Sequence, residues 1–156
     1  MNKIGLLLLF LLFFSSCEKD DICIDENTPH LIVRFYDTND HSLIKAVTKL
    51  SIEVNSLGIF IPIDVVSSDS IAIPLQVDGN FTKIRLTKNT GETNTISDEF
   101  TLNYERNEVF VSRSCGYKIN YLNIDEVDVT SNWMDSILIN KQTIADEKEK
   151  HISIFH

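Results

Sequence analysis

From residue 31 onward the chain alternates apolar and polar residues in short runs, each closed by a cluster of Asp, Asn, Gly, Ser or Pro. In "HLIVRFYD" the alternation puts Leu31, Val33 and Phe35 on one face and Ile32, Arg34 and Tyr36 on the other. "TKLSIEVN" repeats it through Leu50, Ile52 and Val54, and "FTKIRLT" sets Thr82, Ile84 and Leu86 against Phe81, Lys83 and Arg85. A period of two marks a strand with one buried face, because successive side chains leave a strand on opposite sides. "GIFIPIDVV" and "SIAIPLQV" are interrupted by Pro62 and Pro74, and a residue without an N–H suits an edge strand. "DGN" at 78–80 and "NTGET" at 89–93 read as turns.

The second half keeps the rhythm. "DEFTLNYERNEVFVSRSCGYKINYLNI" reads as three runs separated by "ERN" and "CG". Val109, Val111, Arg113 and Cys115 would then share one side of a strand beginning near Glu108, the side expected to meet the core. Residues 132–150 offer a competing helix through "IADEKEK". Their β-branched residues fall at period two, as Ile137 and Ile139 show, which favours a closing hairpin followed by Ile152 and Ile154. Short strands with turns at this spacing predict an all-β fold, an antiparallel, immunoglobulin-like β-sandwich over residues 29–156.

The start of the chain is different in kind. Lys3 precedes an apolar run from Gly5 to Phe14, which ends at Ser15, Ser16 and Cys17. A membrane-crossing helix needs about 20 apolar residues, so this run is too short to span. A charged start, a short apolar core and small residues form a secretory signal, here residues 1–16. With Cys17 directly after the serines, the segment resembles the bacterial lipoprotein signal, in which the cysteine thiol is joined to diacylglycerol before cleavage. Phe14 stands where that pattern usually has leucine. The alternative is an ordinary cleaved signal with a chance cysteine. Residues 17–28 form an acidic tether closed by Pro29. Glu18 carries no clear signal for retention at the inner membrane, and Lys19, Asp20 and Asp21 resemble the export tag of surface lipoproteins of Bacteroidota. Read without that resemblance, the same residues are a solvated tether.

Composition sharpens this picture. Loss of residues 1–16 removes one lysine and leaves 13 basic against 23 acidic residues, a formal charge of −10. Such a surface repels phosphate backbones and argues against nucleic-acid binding. The remaining length suits one domain with a real core. With Cys17 assigned to lipid, Cys23 and Cys115 remain as an even pair in an oxidising compartment, where a disulfide is favoured over free thiols. Two isolated cysteines with no nearby histidine fall short of a zinc site.

The search for chemistry gives little. "DTNDHS" presents Asp37, Asn39, Asp40 and His41 but lacks the glycine and distal glutamate of a calcium loop, so an Asx-rich turn is expected. Asp125, Glu126 and Asp128 crowd together as an acidic loop or as paired carboxylates. No phosphate-binding loop, nucleophile elbow or zinc helix is visible. Trp133 could stack on a sugar, but a single Trp in a β-domain is more often packing. "DSI" occurs at 69–71 and 135–137 and resembles the O-glycosylation signal of Bacteroidota acting on Ser70 and Ser136, or simply marks two strand starts.

The segments "SSCEKDDIC", "LIVRFYD", "ERNEVFVSRSCGYK" and "NWM" together are similar to a family of small uncharacterised lipoproteins from Bacteroidota. That resemblance implies an address and an architecture, and no activity. The expected function is a lipid-anchored, non-enzymatic β-domain at the outer membrane and cell surface, without metal or cofactor, acting through an envelope protein or a glycan. The alternative is a periplasm-facing structural accessory subunit of an envelope complex.

Overall fold

The computed structural model describes Cys23, residues 27–56 and residues 59–156. The signal segment, Cys17 and the tag residues Lys19, Asp20 and Asp21 lie outside the described residues. The described residues contain strands and turns but no helix, and they form two packed sheets. The strands are β1 (Leu31–Tyr36), β2 (Val47–Ser56), β3 (Ile59–Ser68), β4 (Ser70–Ile73) and β5 (Phe81–Lys88). They continue as β6 (Ile96–Ser112), β7 (Gly116–Val127), β8 (Ser136–Ile139), β9 (Thr143–Ile144) and β10 (Ile152–Phe155).

The smaller sheet has the order β4-β1-β10-β8 and the larger one β3-β2-β5-β6-β7-β9. The two proline-bearing runs stand at sheet edges, as a missing N–H requires: Pro62 lies within β3, and Pro74 directly follows β4. One pairing departs from the antiparallel expectation, since β1 and β10 run parallel, with Val33 opposite Ile152 and Phe35 opposite Ile154.

The core lies where the predicted faces meet. Leu31, Val33 and Phe35 from β1, with Ile152 and Ile154 from β10, are wholly buried against Leu50, Ile84, Leu86, Phe100 and Leu102 of the larger sheet. Each such side chain contributes about 1.5–3 kcal/mol through burial, so this row is the main stabilising term. At one end of the core Tyr104 and Tyr121 meet edge to face at 4.8 Å. Their hydroxyls donate to the carbonyls of Gln76 and Leu75 at 3.1 and 3.3 Å. Burial pushes the Tyr121 hydroxyl up to about 12.

Three sequence expectations are corrected. "ERN" is not a break: β6 is a single strand of 17 residues whose polar middle is solvated. Residues 132–150 do not form a hairpin either. β8 pairs antiparallel with β10, but the connection between them visits the other sheet, where β9 pairs with β7. Cys115 is not on a strand face, since it lies in the turn between β6 and β7. The core side of β6 carries Phe100, Leu102 and Tyr104, and therefore Phe110, not Val109 and Val111.

Candidate functional site

The most specifically built feature begins at Cys23. It forms a disulfide with Cys115, with the Cα atoms 5.0 Å apart, so the end of the tether is bonded to the β6–β7 turn. Five residues later the Ile119 N–H donates to the Thr28 hydroxyl at 3.0 Å. β7 pairs with β9 only at Tyr121 and Leu122, and Thr28 thus occupies part of the edge that β9 leaves open. Pro29 is buried, and the chain then enters β1. Cys23 and residues 27–30 accordingly act as a strap, fixed covalently at Cys23 and by the core at Pro29.

The strap is latched from the opposite side by Glu147. Its Oε1 accepts from the His30 N–H at 2.7 Å and lies 2.6 Å from His30 Nδ1. These bonds from His30 hold the Glu147 carboxyl below its ordinary range. A cleft of about 590 Å³ opens between the strap and residues 145–148, lined by Thr28, Pro29, His30, Asp146 and Glu147. Its polar lining is the Thr28 hydroxyl, which accepts the Ile119 N–H, the His30 ring and the Asp146 and Glu147 carboxylates.

A second constellation was not legible in the sequence. Asp98 is completely buried on the core side of β6. Its carboxylate accepts the backbone N–H groups of Asn132, Trp133 and Met134 at 2.7–2.8 Å, and the Thr130 hydroxyl at 2.7 Å. Burial alone would push its pKa up, but these bonds together hold it below the ordinary value. The signal was present in part: "NWM" turns out to be the donor side of this nest. Asp98 itself looked like any polar residue near a strand start.

Trp133 is half-buried, with its indole N–H donating to the Leu86 carbonyl at 3.2 Å. Its ring packs on Phe35 at 6.4 Å and His156 at 5.5 Å. It is a packing residue at the sandwich rim. His151 and His156 are buried too. The Ile32 N–H donates to His151 Nδ1 at 2.9 Å, and burial lowers both histidine pKa values.

The other sequence candidates stay apart. Asp37 and Asp40 accept from the backbone of Asn39 and Ser42, so "DTNDHS" folds as successive Asx turns, and Lys45 at 2.9 Å also pairs with Asp37. The Lys45 bond, with the Asn39 N–H, holds the Asp37 carboxyl at about 2. Asp125 is exposed on β7, Glu126 is half-buried beside it, and Asp128 lies beyond the end of the strand. Among the described residues no three His, Cys, Asp or Glu side chains form a metal-binding group. Ser70 begins β4 with its hydroxyl donating to the Val33 carbonyl at 3.2 Å, whereas Ser136 begins β8 at an exposed position. On the outer face of the larger sheet Arg85 pairs with Glu99 at 2.6 Å and Glu53 at 3.4 Å, and stacks 3.7 Å above the Phe60 ring.

These features define a β-sandwich with a disulfide-fixed N-terminal strap. The chain belongs to a family of unknown function (DUF6452), which matches it over residues 43–156. No curated protein and no solved structure matches it. The family match begins after β1, so the strap and Cys23 lie outside it, while Asp98, the "NWM" nest and Cys115 lie within.

Proposed function

We propose that the protein is a lipid-anchored, non-enzymatic β-domain of a Bacteroidota-type outer membrane, displayed at the cell surface and acting through contact with an envelope protein or a glycan. The observation that carries this reading is the bond between Cys23 and Cys115. A disulfide belongs to an exported protein, and this one lies six residues after the cysteine that follows the apolar run. The disulfide ties the chain after that cysteine to the β6–β7 turn, as a domain that must stand in a fixed attitude on a membrane requires. The ion-paired outer sheet face offers a polar contact surface. The exposed Ser136 is the more accessible of the two serines for a glycan.

The test is Cys17→Ala. The parent should incorporate labelled diacylglycerol and partition into detergent, and the variant should do neither. Equal partitioning of the two forms overturns the anchor. Protease added to whole cells then separates the two addresses, since a surface domain is shaved and a periplasmic accessory subunit is spared.

A further inference from the structure

The core-facing side of the β6–β7 ribbon runs past the smaller sheet. On β6 the row Phe100, Leu102 and Tyr104 is buried, and on β7 Tyr121 is buried and Ile119 packs at the core margin. The same side ends in Phe110 and Tyr117, which face each other in register with ring centroids 5.3 Å apart. Both are largely open to solvent: Phe110 is 56% exposed and Tyr117 68%. A paired Phe and Tyr at the tip of a ribbon is a costly thing to leave in water, and an apolar body with a polar hydroxyl suits the boundary between lipid and water.

The position of this tip supplies the occupant. Cys115, two residues from Tyr117, is bonded to Cys23, and Cys23 follows Cys17 by six residues. Six residues extend at most about 20 Å, so an acyl chain on Cys17 keeps the tip within that reach of the bilayer surface. At such a distance a contact too weak to bind a free protein is well populated, because the anchor has already removed most of the entropic cost. Charge adds little at the tip: Arg113 and Lys118 lie around the turn and Glu108 two residues before Phe110, in a chain whose net charge is −9. The tether leading to the tip is acidic, so the two rings must supply most of the attraction.

We propose that the β6–β7 tip is a second membrane contact, with Phe110 and Tyr117 seated in the lipid headgroup region beside the anchor. This rests on the lipid-anchor reading above. It fixes the attitude of the domain: the ribbon stands on its tip, and the Asp98 end of the sandwich points away from the membrane.

The experiment uses the processed, lipidated chain in vesicles of phosphatidylethanolamine and phosphatidylglycerol with brominated acyl chains. Trp133 is the only tryptophan and sits by Asp98, about 40 Å along β6 from the tip, so it serves as an unquenched reference. Tyr117→Trp should add emission that the brominated lipid reduces by roughly half, and Phe110→Trp on the facing strand should behave alike. Both positions are exposed, so the fold should tolerate either change. A chain that fails to float with the vesicles overturns the anchor and the seating together. One that floats while the new tryptophans stay unquenched, whether they face water or a second copy of the chain, overturns the seating alone. Quenching of Trp133 in the parent would show the domain lying flat, and would also overturn it.

Discussion

The Asp98 carboxylate on β6 accepts the Met134 N–H at 2.8 Å, and this bond joins one sheet to the segment that leads into the other. Thr130 adds a bond from its N–H to the Glu99 carbonyl at 2.9 Å, so the crossing segment is held at several points along one strand. A completely buried carboxylate is tolerated only because its lone pairs are filled by donors, three of them backbone N–H groups.

Asp98→Ala should therefore destabilise the domain by about 3 kcal/mol, because it strands buried N–H groups as well as removing the acceptor. Asp98→Asn keeps the volume but turns an amide toward donors, and its cost should fall in between. Urea unfolding of the three forms measures both. A loss below about 1 kcal/mol for the alanine form would show that the crossing segment is held by packing alone.

Reduction of the Cys23–Cys115 bond should lower stability by about 4–5 kcal/mol in the chain-entropy treatment, because the closed loop spans 92 residue steps. Cys115→Ser should reproduce the loss, and the variant should be insensitive to further reductant. Thermal melts with and without reductant, with free-thiol labelling of the native protein, check this. Labelling of both cysteines in protein from an oxidising envelope would contradict the pairing.

The domain should lose stability on mild acidification. Burial depresses the pKa values of His151 and His156 below the ordinary 6.5, so the unfolded chain takes up protons at a pH where the folded chain does not. The contribution of both groups is complete above about pH 6.5 and declines as pH falls toward their folded values. His151→Asn offers an oxygen acceptor to the Ile32 N–H and should flatten the decline between pH 7 and 5. A second loss follows below the ordinary Asp value of 3.8, where the unfolded chain binds a proton that the folded Asp98 refuses. Denaturant melts across this range read both steps, and a flat profile from pH 7 to 5 would remove the histidines from the account.

Replacing Lys19, Asp20 and Asp21 together with alanine should reduce antibody labelling of intact cells while leaving total membrane-bound protein unchanged. Equal labelling of both forms would reduce those residues to a solvated tether.

Facing was legible in the sequence for β1, β2 and β5, though not at the far end of β6, where Val109 and Val111 were expected inward. Leu31, Val33 and Phe35, Leu50 and Ile52, and Ile84 and Leu86 were each placed on a shared face by alternation, and those faces are buried. The reason is local: a strand has a period of two whatever it pairs with. Pro62 and Pro74 indicated edges for an equally local reason, the missing N–H. Partner choice belongs to the tertiary structure. No property of residues 152–155 specifies a parallel register with β1, nor of residues 136–144 that β8 and β9 join different sheets, because these depend on which surfaces remain open once the rest has packed. Polarity misled at Glu105, Arg106 and Asn107, because it reports contact with water, and a strand held by ladder bonds to a single neighbour, here β7, can be solvated without breaking. The pairing of Cys23 with Cys115 could be counted from the sequence, but its geometry came from elsewhere. Only the folded ribbon brings the β6–β7 turn beside the strap, because 92 intervening residues must be packed before those two Cα atoms can stand 5.0 Å apart.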